Sequence, residues 1–226
     1  MDVSQESATQ TLTRGIHRRN PAWSALLGLC PLLAVSNSLV NALGLATASA
    51  FVLIGANLTV SVLRRGIPEF ARLPVFMLLI ATLTTCAVLL LEAFAFELYQ
   101  RIALFVQIIV TNCMILGRVE TFASKQPVWR SLLDAIGTSV GFALALVVLG
   151  STRELLASGV LGADLNDLFG AGVGESGLRL WPADATLPLA RLAPGAFLTA
   201  GLLLAFASAV GQRQRARAAP DDLSKT

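Results

Sequence analysis

Long apolar runs parted by short polar breaks organise this sequence. Residues 1–20 form a polar opening segment, and Asn20-Pro21 then supplies an N-cap and a proline at the first helical position. The apolar runs that follow predict helical spans over about 21–40, 43–63, 73–92, 99–117, 130–150 and 189–210. Each comes close to the roughly 20 residues that cross a bilayer. The breaks between them are short except for 151–188, rich in Gly, Asp and Leu and expected to lie along the membrane surface. The pattern predicts an all-α polytopic membrane protein with six transmembrane helices.

Charge orients these spans. Residues 1–20, 64–72, 118–130 and 211–226 hold Arg14, Arg18, Arg19, Arg64, Arg65, Arg72, Arg118, Lys125, Arg130, Arg213, Arg215, Arg217 and Lys225. The alternate segments hold only Arg101, Arg153, Arg179 and Arg191, with the acids Glu92, Glu97, Glu154, Asp164, Asp167, Glu175 and Asp184. Basic residues stay on the cytoplasmic side of short loops. Six crossings with both termini cytoplasmic are expected.

Composition agrees with this reading. Of 226 residues, 55% are hydrophobic and 14% charged, with a mean hydropathy of +0.71; soluble domains carry about a quarter charged residues. The net charge of +3 does not point to nucleic acid, because the basic residues flank apolar spans instead of forming one patch. His17, the sole histidine, lies in the polar opening segment, which excludes a bis-histidine haem or His-rich zinc site within the membrane. Cys30, Cys86 and Cys113 are odd in number and sit in apolar surroundings, unlike a secreted disulfide framework. Small buried thiols are the simplest reading of each taken alone.

Cys30 is followed directly by Pro31. Proline lacks the amide proton a helix needs and disfavours the α conformation in the residue before it, so a helix break beside Cys30 is expected. Aligning Cys30 with Cys113 sets Cys30-Pro31-Leu32-Leu33-Ala34 against Cys113-Met114-Ile115-Leu116-Gly117. Each cysteine then falls in the first span of a three-span unit, and the second unit enters the membrane from the opposite face. This predicts a 3+3 inverted-topology repeat with broken helices at the two cysteines. The expected organisation is a polar segment 1–20, a first repeat 21–98, a second repeat 99–210 containing the extracytoplasmic loop 151–188, and a basic tail 211–226.

Broken helices at membrane depth are tolerated where the freed backbone lines a cavity or binds something. Asn37, Ser38 and Asn41 follow the first break, and Thr111 and Asn112 precede Cys113, so both thiols lie among amides and hydroxyls. Such donors stabilise a thiolate and tune a bound metal. Two cysteines leave a tetrahedral sulfur site half complete; a four-thiolate iron–sulfur site would take two more from a homologous partner. The alternative at this point is a pair of packing cysteines in a kinked bundle.

At these residues the chain resembles the RnfE family of the Rnf electron-transport complex, equivalent to NqrD of the sodium-pumping NADH:quinone reductase. The resemblance runs from about Asn20 to Val210. It is carried by Asn20-Pro21-Ala22-Trp23, Leu27-Gly28-Leu29-Cys30-Pro31-Leu32-Leu33-Ala34, Thr111-Asn112-Cys113 with Gly117-Arg118-Val119-Glu120, and Ser131 through Gly141. It implies six transmembrane helices and a homologous partner of opposite orientation, RnfA in the Rnf complex. It also implies an intramembrane iron–sulfur centre, expected as 2Fe–2S over a single iron, with two cysteines from each partner; those of this chain fall on Cys30 and Cys113. Cys86 has no counterpart in the pattern. By the same resemblance, the chain would relay electrons across the membrane in an ion-translocating oxidoreductase. The other Rnf components (RnfB, RnfC, RnfD and RnfG) carry flavins and iron–sulfur clusters, and NADH–ferredoxin electron transfer is coupled to sodium or proton movement. No catalytic residue of its own is expected, since the activity belongs to the complex. The competing reading is a small inverted-repeat transporter with structural cysteines.

Other features carry less. Gly172-Val173-Gly174-Glu175-Ser176-Gly177 matches a dinucleotide fingerprint in letters but lacks the strand–turn–helix setting that gives it meaning. Gly137 and Gly141 are spaced for close helix packing. Apart from Glu92 at the very end of one span, Asp134 is the only acid within a predicted span, one turn from Arg130, and is a candidate for an ion pathway. Trp23, Trp129 and Trp181 fall at span ends, as interfacial anchors do. The Gln212–Arg217 stretch reads as a solvated tail near anionic lipid. A cleaved leader ending near Cys30 is disfavoured by Leu29 before it and Pro31 after it.

Overall fold

A computed structural model describes residues 27–36, 38–64, 66–94, 96–158, 160–161, 178–179 and 192–218. Its helices are α1 (Leu29–Val35), α2 (Leu39–Leu63), α3 (Arg72–Phe94), α4 (Phe96–Gln107), α5 (Cys113–Arg118), α6 (Val128–Ser158) and α7 (Ala193–Ala218). A 3-10 turn at Ile108–Thr111 precedes Cys113, and the chain winds as a π-helix over Val119–Ala123 after α5. The only pairing of strands among the described residues is an antiparallel ladder of two residues each, Val160–Leu161 with Leu178–Arg179. The protein is an all-α membrane protein in its architecture.

The two helices α2 and α6 run antiparallel through the centre. The Leu39 amide meets the Glu154 carboxylate at one end, and the Ser61 hydroxyl meets the Gln126 carbonyl at the other. Small residues allow the approach: a Cβ built on Gly150 of α6 would lie 3.1 Å from Cβ of Ala42 in α2. Val52, Leu53 and Val60 of α2 and Phe142, Leu146 and Leu149 of α6 are buried between them and their neighbours.

Around this pair the outer helices present apolar side chains outward. Over their most apolar stretches α2 and α6 are each 56% buried, but α3 is only 22% buried. Leu73, Leu78, Leu89 and Phe94 of α3, and Phe197, Leu198, Leu202 and Phe206 of α7, are exposed. So much outward apolar surface suits hydrocarbon, where helices satisfy their own backbone hydrogen bonds. Among the described residues, Leu39–Leu63, Glu69–Phe94, Phe105–Ala123 and Val128–Ala157 are long and apolar enough to cross a membrane, and Pro194–Phe206 is a shorter apolar helix.

Four of the six expected spans meet helical segments long enough to cross a membrane, with shifted boundaries, whereas the first is described only over the short α1 and the last by a helix whose apolar part is shorter. The division between the first two falls at residues 36–38, not near 41–42, because Ser38 is extended (φ −143°, ψ 145°) and α2 begins at Leu39. The run 99–117 is not one helix, for it is interrupted at Asn112. Helix α6 runs on to Ser158, past the expected end at 150, and α7 continues to Ala218, into the stretch read as a solvated tail. His17, Trp23, Asn37, Trp181 and the 172–177 glycine motif lie outside the described residues.

Candidate functional site

Both cysteines of the expected pair open short, interrupted helices. Cys30 is the second residue of α1, which starts after Gly28 in the left-handed region (φ 83°). The first helical hydrogen bond runs from the Leu32 amide to the Gly28 carbonyl at 3.4 Å. Pro31 therefore sits in the first turn, where its missing N–H has no helical acceptor to forgo. This corrects the expectation that Pro31 forces the break beside Cys30. The interruptions lie at Gly28 and at residues 36–38, and Pro31 is compatible with the helix start.

Cys113 is the first residue of α5. Asn112 leaves the helical region (φ −68°, ψ 110°), and its Oδ1 accepts a hydrogen bond from the Met114 amide at 3.0 Å, an N-cap in geometry and chemistry. The two interruptions meet. A Cβ built on Gly28 would lie 3.3 Å from Asn112 Oδ1, 3.3 Å from Met114 Cβ and 3.2 Å from Phe142 Cε2. The backbone two residues before Cys30 thus packs against the residues on either side of Cys113. Both thiols are free and exposed. Cys86 is also free and exposed, but it lies mid-way along the continuous, outward-facing α3.

Each cysteine helix is tethered to α6 beyond its cysteine. At the end of α5, Arg118 Nη2 pairs with Asp134 Oδ1 at 2.6 Å, and its Nε and Nη2 donate to Thr138 Oγ1 at 3.2 and 3.1 Å. The guanidinium also lies 5.9 Å from the centre of the Phe122 ring, within cation–π range. Asp134 is buried, and the guanidinium that answers it belongs to Arg118 rather than to Arg130, its neighbour in sequence. At the far end of α6, Arg153 donates to the Leu33 carbonyl and the Ser36 hydroxyl at the end of α1, at 3.1 and 2.9 Å.

Arg153 and Glu154 are the site residues that sequence reasoning missed. They read as loop charges just beyond the expected span 130–150, yet they are 2% and 5% exposed. An Arg-Glu pair directly after an apolar run was the only available signal. Among the described residues no three His, Cys, Asp or Glu side chains converge as a metal site. The donor set that the chain offers in these interrupted helices is two outward-facing thiols, which fits a centre completed by another chain.

A family profile described as "Rnf-Nqr subunit, membrane protein" matches residues 8–204. The chain belongs to the Rnf-Nqr family. Curated relatives, each named as the E-type component of an ion-translocating oxidoreductase complex, are similar over nearly their full lengths. The one from Pseudomonas paraeruginosa is 45% identical over 223 residues, covering 98% of this chain and 93% of that protein. Those from Vibrio parahaemolyticus and Haemophilus ducreyi are 45% and 47% identical, covering 92% and 90% of this chain and 90% of each relative. The Rnf-Nqr match takes in both cysteine helices, the whole of α6 and the start of α7.

Proposed function

We propose that this chain is a membrane subunit of an ion-translocating oxidoreductase complex of the Rnf type, relaying electrons across the bilayer through an iron–sulfur centre shared with a homologous subunit. The observation that carries the proposal is the meeting of the two cysteine-bearing interruptions, with both thiols facing away from the chain's own core. Interrupted backbone at membrane depth is expensive unless it serves a site. Here the two interruptions pack against each other, as corresponding segments of an inverted repeat do.

The chain's own residues have three tasks. Cys30 and Cys113 present two sulfurs to a 2Fe–2S centre whose other two come from an inverted, homologous partner. The helix breaks place Cys30 and Cys113 in the first turns of α1 and α5, where free backbone amides would donate to the sulfurs of a bound cluster and tune it. The packed α2–α6 pair excludes water behind them. When bound, the centre supplies one-electron exchange partway across about 30 Å of hydrocarbon, too far for a single tunnelling step without a relay. Flavins and clusters of the other subunits stand at either side, and NADH–ferredoxin electron flow drives sodium or proton movement in the assembly. The setting is the bacterial inner membrane, with both termini cytoplasmic.

The chain is to be purified with its co-expressed homologous partner, without oxygen, beside Cys30→Ala, Cys113→Ala and Cys86→Ala. Iron content and EPR spectra are then recorded. Loss of a reducible iron–sulfur signal in the first two variants, with Cys86→Ala unchanged, is the expected result. Iron retained in Cys113→Ala would overturn the ligand assignment. An intact, iron-free parent complex would return the cysteines to packing and favour the transporter reading.

A further inference from the structure

The joint between α1 and α2 leaves backbone groups without helical partners on both of its sides. These are the last carbonyls of α1 and the first amides of α2, and Ser36 and Ser38 are buried, so water is not at hand to replace the missing partners. Two consecutive residues of α6 answer both. Arg153 Nη1 donates to the Leu33 carbonyl at 3.1 Å and to Ser36 Oγ at 2.9 Å, and its Nη2 donates to the Leu192 carbonyl at 3.4 Å, just before α7. Glu154 Oε2 accepts the Leu39 amide of α2 at 2.8 Å. The signs suit the termini: a cation at the C-terminal end of α1 and an anion at the N-terminal end of α2. Consecutive helical residues diverge by about 100°, which lets one pair of neighbours serve two different elements. Buried charges near a membrane span are functional candidates by default, and the partners named above lie at the ends of other helices.

The consequence falls on Cys30. Leu33 lies three residues after it, less than one helical turn. The other end of α1 is fixed where Gly28 packs on Asn112 and Met114 beside Cys113. A seven-residue helix has too few internal hydrogen bonds to hold its own shape, so these two attachments set where Cys30 stands. We propose that Arg153 and Glu154 are the positioning residues of Cys30, fixing its helix relative to Cys113 through the α1–α2 joint. The proposal rests on the reading that the two cysteines share one centre.

Two measurements separate this proposal from that reading. The first is hydrogen–deuterium exchange on the full chain in detergent, which needs no iron. In Arg153→Gln the amides of residues 29–36 should exchange about tenfold faster, the shift expected on losing a charge-assisted hydrogen bond, while those of 113–118 stay as in the parent. Arg153→Lys, which keeps one donor, should fall between. Glu154→Leu should loosen residues 36–42, and Glu154→Gln, which keeps an acceptor, should restore them. The second is the EPR line shape and midpoint potential of the complex purified with its partner, where Arg153→Gln should move both with iron content retained.

Unchanged exchange at 29–36 in Arg153→Gln overturns the proposal whatever the iron content. Faster exchange with an unmoved potential in an iron-loaded complex overturns it as well, because the tether would then not position the thiol. Faster exchange in a parent complex that never holds iron leaves the tether standing and brings down the proposed centre instead. If Arg153→Gln does not accumulate, Ser36→Ala removes a single acceptor and decides the matter by the same readings, with a smaller shift expected and no shift overturning the proposal.

Discussion

Gly28 shows how a single residue can set a site. Its φ of 83° is a conformation that L side chains rarely adopt, and a Cβ there would press on Phe142, Asn112 and Met114 at 3.2–3.3 Å. Gly28→Ala is therefore strained twice, by backbone and by crowding, and should destabilise the fold by about 2 kcal/mol. Thermal unfolding in detergent, followed by circular dichroism, checks this; a melting curve unchanged from the parent would mean that the two interruptions do not depend on this contact. The choice of Cys30 and Cys113 is a reading of the sequence, where the two align within the expected repeat and Cys86 does not. Gly28 is not legible there as the start of α1. Pro31 is the obvious helix breaker by residue type, but a proline is harmless in a first turn, and only backbone geometry reveals that the preceding glycine sets the entry. Arg118 is a similar case. Sequence proximity favours Arg130 as the neighbour of Asp134, while the fold brings Arg118 to it across the π-helical segment.

At the scale of elements, α6 is the bar to which both cysteine helices are tied. Its Asp134 and Thr138 hold the end of α5, and its Arg153 holds the end of α1. The 19 positions from Asp134 to Arg153 span about 28 Å of helix, close to the thickness of the hydrocarbon core, so the two tethers act from opposite ends of the span. The Arg118–Asp134 pair should be strongly coupled. Removing one member strands a charge in a low-dielectric setting, so Asp134→Asn or Arg118→Leu alone should cost about 3 kcal/mol. The double variant should cost clearly less than the sum. A double-mutant cycle on thermal or denaturant unfolding in detergent measures this, and strictly additive losses would show that the pair does not act as a unit. The existence and order of the long helices can be read from apolar periodicity. Their ends cannot, because joints such as 36–38 are set by tertiary partners on α6 that no local pattern encodes.

For the whole molecule, the antiparallel α2–α6 pair gives the chain two similar ends. At one, α6 ties down the α1–α2 joint; at the other, Ser61 of α2 donates to the Gln126 carbonyl in the joint that leads into α6, at 2.9 Å. Each central helix thus supports the joint that feeds the other. Two units related by inversion would place their joints in this way, and the charge distribution agrees, with basic residues concentrated in 1–20, 64–72, 118–130 and 211–226. Under the proposed orientation the joint at 118–127 would lie on the cytoplasmic face and the joint between Ser36 and Ser38 on the other. Reporter fusions follow from this arrangement: one that fluoresces only in the cytoplasm should be active at either terminus, and one that folds only outside the cytoplasm should be active within 151–188. An active extracytoplasmic reporter at the C-terminus would require an odd number of crossings. The second unit could not then be a complete inverted copy of the first, and the equivalence of Cys30 and Cys113 would lose its topological support even if both still bound iron.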